Sequence, residues 1–122
     1  MMDLIAVGLG GFIGAVLRYL IGLIPMNETT TFPIKTFVIN ILGCVAIGCI
    51  AAVATKNTEL NPRMILFLKV GICGGFTTFS TFALETTDLI QNGHTGIAFL
   101  YAVLSLMIGC AVIFGAELVI NR

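Results

Sequence analysis

The sequence predicts an all-α membrane protein with four transmembrane helices, the third of them broken at its centre. Three observations lead there. Apolar side chains make up 58% of the 122 residues and charged ones only 10%, whereas a soluble domain carries about 25% charge and needs it to cover its surface. Four apolar stretches, 4–24, 34–54, 65–90 and 96–120, each reach the roughly 20 residues that a helix needs to cross the hydrocarbon of a bilayer. The third stretch carries a cluster of glycines followed by a run of hydroxyl and aromatic residues, which a continuous helix tolerates poorly. The connections hold breakers and polar residues: Pro25, Asn27, Glu28 and Pro33 in 25–33, then 55–62 ending at Pro62, then 91–95. Residues 1–122 thus form a single four-helix transmembrane domain with both termini on one side of the membrane.

Charge excludes several partner classes. Six basic and six acidic residues cancel, leaving neither a cationic face for nucleic acid nor an acidic tail for a basic protein. The four cysteines, Cys44, Cys49, Cys73 and Cys110, lie in apolar runs without C-x-x-C spacing. They read as small buried hydrophobes rather than disulfides or metal ligands. No Lys or Arg precedes Arg18 and no small-residue cleavage pattern follows the first apolar run, so that run is expected to be a retained span, not a signal peptide. The side holding the termini has Lys56, Arg63 and Arg122, with Lys69 within reach; the other has Lys35 with Arg18 nearby. So even a balance permits insertion both ways up and hence an antiparallel homodimer. A true bias hidden by approximate boundaries fits the charges equally well, but four short helices hardly enclose a pathway alone, which favours an oligomer.

In the first span, Gly10 and Gly14 make a GxxxG pair, as Gly71 and Gly75 do in the third; both read as helix-packing faces. Arg18 lies about 21 Å along the first helix, at 1.5 Å per residue from Leu4, near the far interface. It reads as a snorkelling anchor or a helix-packing partner rather than a pore group. In the second span, Thr36, Asn40 and Gly43 fall at i, i+4 and i+7 on one face. Asn40 offers amide donors without a positive charge, suited either to an anion held and then released or to an interhelical hydrogen bond.

The third span carries most of the chemistry. Gly71, Gly74 and Gly75 precede Phe76, Thr77, Thr78, Phe79, Ser80, Thr81 and Phe82. A break here frees carbonyls suited to a hard cation and amides suited to negative charge, and such groups persist at membrane depth only where protein buries them or a cavity or ion meets them. Phe79 and Phe82 project from one face of the restarted helix, and a phenyl ring presents a positive edge. Thr77, Thr81, Glu85 and Asp88 fall on an adjacent stripe, where hydroxyls can replace lost water. Glu85 is awkward beside an anion; a neutral, an interfacial and a helix-end role all remain open. His94, the one histidine, falls in a loop and reads as solvated.

The run Gly74-Gly75-Phe76-Thr77-Thr78-Phe79-Ser80-Thr81-Phe82 resembles the signature of the small fluoride channels, the Fluc or CrcB family. Gly10-Gly11-x-x-Gly14-Ala15-x-x-Arg18-Tyr19 and Thr36-x-x-x-Asn40-x-x-Gly43 resemble its other two blocks, so the likeness spans nearly the whole chain. The resemblance implies an antiparallel, dual-topology homodimer in the plasma membrane (the inner membrane of a prokaryotic cell), exporting fluoride passively through two pores. A pair formed with a paralogous chain is the other assembly the family uses. By the same resemblance, Asn40 is the pore asparagine, and Phe79 and Phe82 are the aromatic pair beside the ion path. Thr81, with Ser80, Glu85 and Tyr101, belongs to the polar track. The backbone carbonyls of Gly74 and Thr77 hold a structural sodium ion at the dimer centre, and Arg18 matches the first-helix arginine. The implied partners are fluoride, a second copy and membrane lipid.

A proton-coupled small multidrug exporter is the main rival. It needs a membrane-embedded carboxylate in the first helix, but Asp3 lies at the very end of that span, no Glu precedes Glu28, and tryptophan is absent. A non-transporting subunit glued by its polar residues is a second rival. An intramembrane hydrolase with Ser80 as nucleophile lacks a base, and no enzymatic activity is expected.

Overall fold

The computed structural model describes residues 1–27 and 29–122; Glu28, assigned above to the first connection, lies outside the described residues. Four helices are long and apolar enough to cross a membrane. They are α1 (Met2–Gly22), α2 (Ile34–Lys56), a compound third span over Pro62–Gln91, and a last helix over Thr95–Ile120. The third span opens as α3 (Pro62–Ile65), widens into a π-helical stretch (Leu66–Cys73) and tightens into α4 (Gly74–Phe76). It restarts after Thr77 and Thr78 as α5 (Phe79–Gln91); the last helix is α6. Asn61 starts the third span by accepting the Arg63 N–H at 2.9 Å, with Pro62 in the first turn where its missing N–H costs nothing.

The break falls two residues later than the glycine cluster predicts. Gly71 lies within the π stretch and Gly74 and Gly75 within α4, all helical. The chain leaves the helix at Thr77 and Thr78, whose ψ values of 158° and 114° are extended. Helix-weakening by glycine is not what sets the position; the glycines serve close approach instead. A Cβ on Gly71 would stand 2.8 Å from the Gly10 Cα, one on Gly75 would strike the Gly11 carbonyl oxygen, and one on Gly14 the Ile72 carbonyl oxygen. Both GxxxG pairs therefore form one contact, α1 lying backbone to backbone on the first half of the third span. Because the helix stops at Phe76, Thr77 does not share a continuous stripe with Thr81, Glu85 and Asp88 as the spacing predicts.

On the other side α2 packs along α6, with Gly48 against Ile113, and α5 leans on α6 around Tyr101, the one described side chain with no exposure. Phe32, Phe37 and Phe82 surround that ring, so the compact core sits near one end of the bundle. Elsewhere the exterior is apolar: Phe12, Phe99, Leu106 and Phe114 are all more than three-fifths exposed, which suits lipid and not water. Of the four cysteines Cys73 is buried, Cys44 and Cys49 are half-buried and Cys110 is exposed, correcting the expectation that all four are buried; the described thiols are free. An Asp3–Arg63 ion pair at 2.9 Å and a bond from Lys56 Nζ to the Ile120 carbonyl at 2.8 Å join the N-terminus, the second connection and the end of α6. Both termini thus lie at one end of the bundle.

Candidate functional site

The break exposes backbone groups that water cannot reach inside a bilayer, and side chains from three helices meet them. Asn40 of α2 faces Thr78: its Nδ2 donates to the Thr78 carbonyl at 3.2 Å, and the Thr78 N–H donates to its Oδ1 at 2.8 Å. Arg18 of α1 donates Nε to the Gly75 carbonyl at 3.2 Å, so it packs against the end of the half-helix in place of merely stretching to the interface. Thr78 caps α5, its hydroxyl accepting the Thr81 N–H at 3.2 Å and meeting Thr81 Oγ1 at 3.0 Å. Ser80 is exposed, with Oγ 3.4 Å from the Thr78 hydroxyl.

The face predicted for α2 is observed, and each member meets the third span differently. Thr36 donates to Glu85 Oε1 at 2.6 Å, Asn40 clasps Thr78, and Gly43 leaves room for the Thr77 side chain, which a Cβ would strike. Glu85, whose role the sequence left open, accepts a second bond on its other oxygen from the Tyr101 hydroxyl at 2.8 Å. The carboxylate is held by hydroxyls from α2 and α6 and is not bound to a helix end. Asp88 is exposed and lies apart, at the mouth of a cavity with Thr31, Asn92 and His94.

Two grooves meet at Thr78. One, of about 350 Å³, is bounded by Asn40, Gly43, Gly74, Thr77, Phe79 and Phe82, with Cys44, Cys73 and Ile113 in its wall. The other, also about 350 Å³, runs from Arg18 and Lys35 past Thr36 and Glu85 to Thr81. Phe79 and Phe82 have ring centroids 5.8 Å apart with planes at 44°, and Phe82 lies 5.0 Å from Tyr101 at 59°. None of these three is stacked face to face, so ring edges point between neighbours. Phe79 is 80% exposed in the single chain.

The structure therefore gathers Asn40, Phe79, Phe82, Gly74 and Thr77 on one groove and Thr81, Glu85 and Arg18 on the other. Tyr101 reaches both through Phe82 and Glu85. Sequence reasoning gave Thr78 no role of its own. The signal was present, because a threonine just before a helical run is a common N-cap. Cys44 and Lys35 were likewise not singled out as groove residues, and no spacing rule points to them.

Comparison with known proteins places the chain in a family. A family profile described as "CrcB-like protein, Camphor Resistance (CrcB)" matches residues 5–116. A protein of Chlorobaculum tepidum named fluoride-specific ion channel FluC is 44% identical over 118 residues, covering 97% of this chain and 94% of its own. One of the same name from Ruminiclostridium cellulolyticum is 46% identical over 107 residues, covering 87% and 82%. Another from Azobacteroides pseudotrichonymphae is 41% identical over 108 residues, covering 88% and 86%. Profile and relatives both extend across all four spans, the broken third one included, and on that ground the chain belongs to the CrcB family.

Proposed function

We propose that this protein is a fluoride-selective channel of the plasma membrane that lets fluoride leave the cytoplasm passively and so lowers its toxicity. One observation supports it most: a groove where the Asn40 amide and the edges of Phe79 and Phe82 converge on a broken helix, in a chain whose relatives are named fluoride-specific channels. Fluoride is small and tightly hydrated. It crosses hydrocarbon only where donors replace its water, and a larger halide does not fit the same spacing. Uncharged donors suit passage better than a lysine, because they stabilise the ion without trapping it.

In this proposal an ion enters beside Arg18 and Lys35, passes Ser80 and Thr81, and crosses the Asn40–Phe82–Phe79 groove. One of the two Asn40 amide hydrogens is engaged by the Thr78 carbonyl, and the second serves the ion. Tyr101 fixes the Phe82 ring and is itself held by Glu85. A cell interior negative by 100 mV drives a monovalent anion outward with about 2.3 kcal/mol.

The working unit we propose is an antiparallel homodimer with two pores. The 80% exposure of Phe79 and the open side of the groove support it, since a second copy would close both. A sodium ion fits the centre of that dimer: among the described residues the Gly74 and Thr77 carbonyls receive no protein donor, and a hard cation prefers such oxygens. Those two carbonyls would hold it, and it would join the broken helices of the two copies.

Purified protein in liposomes loaded with potassium fluoride tests the function. Valinomycin should release fluoride to an external electrode, while the same vesicles retain chloride. Chloride leaving as fast as fluoride, or fluoride staying inside, would overturn it. The multidrug-exporter reading finds no support, since Asp3, the acid of α1, pairs with Arg63 at the exposed end of the bundle.

A further inference from the structure

The backbone hydrogen bonds through the break can be followed one by one. In an unbroken α-helix the N–H of residue i donates to the carbonyl of residue i−4. Thr77 still obeys, its N–H reaching the Cys73 carbonyl at 3.1 Å. The next bond in the series would run from the Thr78 N–H to the Gly74 carbonyl. That N–H goes to Asn40 Oδ1 instead, at 2.8 Å, and Asn40 completes the exchange by donating to the Thr78 carbonyl. One carbonyl further on, Gly75 is served by Arg18. Gly74 is thus passed over: among the described residues its carbonyl receives no donor, while the carbonyls of Cys73 and Gly75 on either side both do.

A carbonyl without a donor at membrane depth costs several kcal/mol unless water or an ion meets it. Gly74 is exposed, borders the groove, and has nothing within 4 Å of where a Cβ would stand, so its surroundings are open. The arrangement leaves an oxygen unmet while a side chain from another helix consumes the N–H that would otherwise satisfy it.

We infer that Asn40 is a positioning residue for the cation: by drawing the Thr78 N–H onto its own Oδ1, it keeps the Gly74 carbonyl free to ligate. This rests on the cation assignment proposed above. It also gives Asn40 two duties, with Oδ1 securing the break and the second Nδ2 hydrogen facing the ion path. An alanine at position 40 removes the competing acceptor, so the Thr78 N–H returns to Gly74, α4 lengthens by one bond, and the cation loses a ligand.

The test is the thermal midpoint of the purified protein in detergent, in sodium chloride against an equal concentration of N-methylglucamine chloride. Wild type should melt higher in sodium by on the order of 5 °C, as expected for a ligand that binds only the folded state. Asn40→Ala should lose that difference, Asn40→Asp, which keeps the acceptor, should retain it, and Phe82→Ile should retain it while conducting less fluoride. A merely structural asparagine predicts otherwise: Asn40→Ala lowers both midpoints equally and the sodium difference survives. That result, or loss of the difference in Asn40→Asp, overturns the inference. If wild type shows no sodium difference at all, the cation assignment itself fails, and the inference with it. Should Asn40→Ala not fold, Asn40→Leu, which fills more of the space and equally lacks the acceptor for the Thr78 N–H, takes its place, with loss of the sodium difference expected and its survival overturning the inference.

Discussion

Tyr101 donates its hydroxyl to Glu85 Oε2 at 2.8 Å, so the one fully buried large side chain among the described residues ends on a carboxylate of the third membrane-spanning segment. Thr36 holds the other oxygen at 2.6 Å. An acid in hydrocarbon is costly, and two hydroxyls from two different helices answer it here. Tyr101→Phe keeps the ring, and with it the contact to Phe82, but leaves Oε2 short of a donor. The expected outcome is a loss of about 1–3 kcal/mol of stability, read as a lower unfolding midpoint in detergent. Tyr101→Phe with Glu85→Gln should lose less than the sum of the two single variants, since the pair acts as a unit.

The α1 contact with the third span is backbone to backbone. A Cβ at Gly14 would strike the Ile72 carbonyl oxygen and stand 2.7 Å from the Phe76 nitrogen, neither of which can step aside within a helix. Gly14→Ala should therefore destabilise by about 1–3 kcal/mol through overpacking. Gly8→Ala and Gly22→Ala, where a Cβ meets nothing within 4 Å, should leave the midpoint unchanged or raise it slightly. The three variants separate close approach from helix propensity in a single thermal series.

Thr78 caps α5 through its hydroxyl, which accepts the Thr81 N–H. Thr78→Ala should cost about 1 kcal/mol, and Thr78→Ser, which keeps the oxygen, much less. Amide hydrogen exchange over the first turn of α5 checks this locally. Faster exchange at Thr81 in Thr78→Ala and near-normal exchange in Thr78→Ser is the expected pattern.

Hydropathy made the four spans legible, and the α2 face of Thr36, Asn40 and Gly43 followed from spacing alone. What spacing missed was the partner of each residue. Asn40 meets main chain instead of side chain, because the break brings an unpaired peptide to it, and no periodicity encodes where a helix will stop. The glycines misled for a related reason: glycine weakens an isolated helix, yet here it lets two helices touch, so the chain stays helical through Gly74 and Gly75 and breaks at two threonines. Glu85 was ambiguous because its partners lie 49 and 16 residues away in sequence.

Phe82 separates the channel proposal from a packing role. Its ring lies 5.8 Å from Phe79 and 5.0 Å from Tyr101, tilted to both, and borders the groove that holds Asn40. Isoleucine preserves most of the apolar volume but has no quadrupole, so it fills the space without offering a positive edge. If the ring only packs, Phe82→Ile costs stability and leaves flux per folded protein unaltered. If the edge stabilises a partly dehydrated anion, a loss on the order of 1 kcal/mol, the size of an aromatic edge-to-face contact, falls on the barrier, and fluoride efflux slows by about tenfold or less. The second outcome is expected, measured as initial efflux from liposomes and normalised to protein that elutes as a folded species. Phe99→Ile is the matched control: that ring is 73% exposed on the outer face, away from both grooves, and its loss should leave the efflux rate where it was.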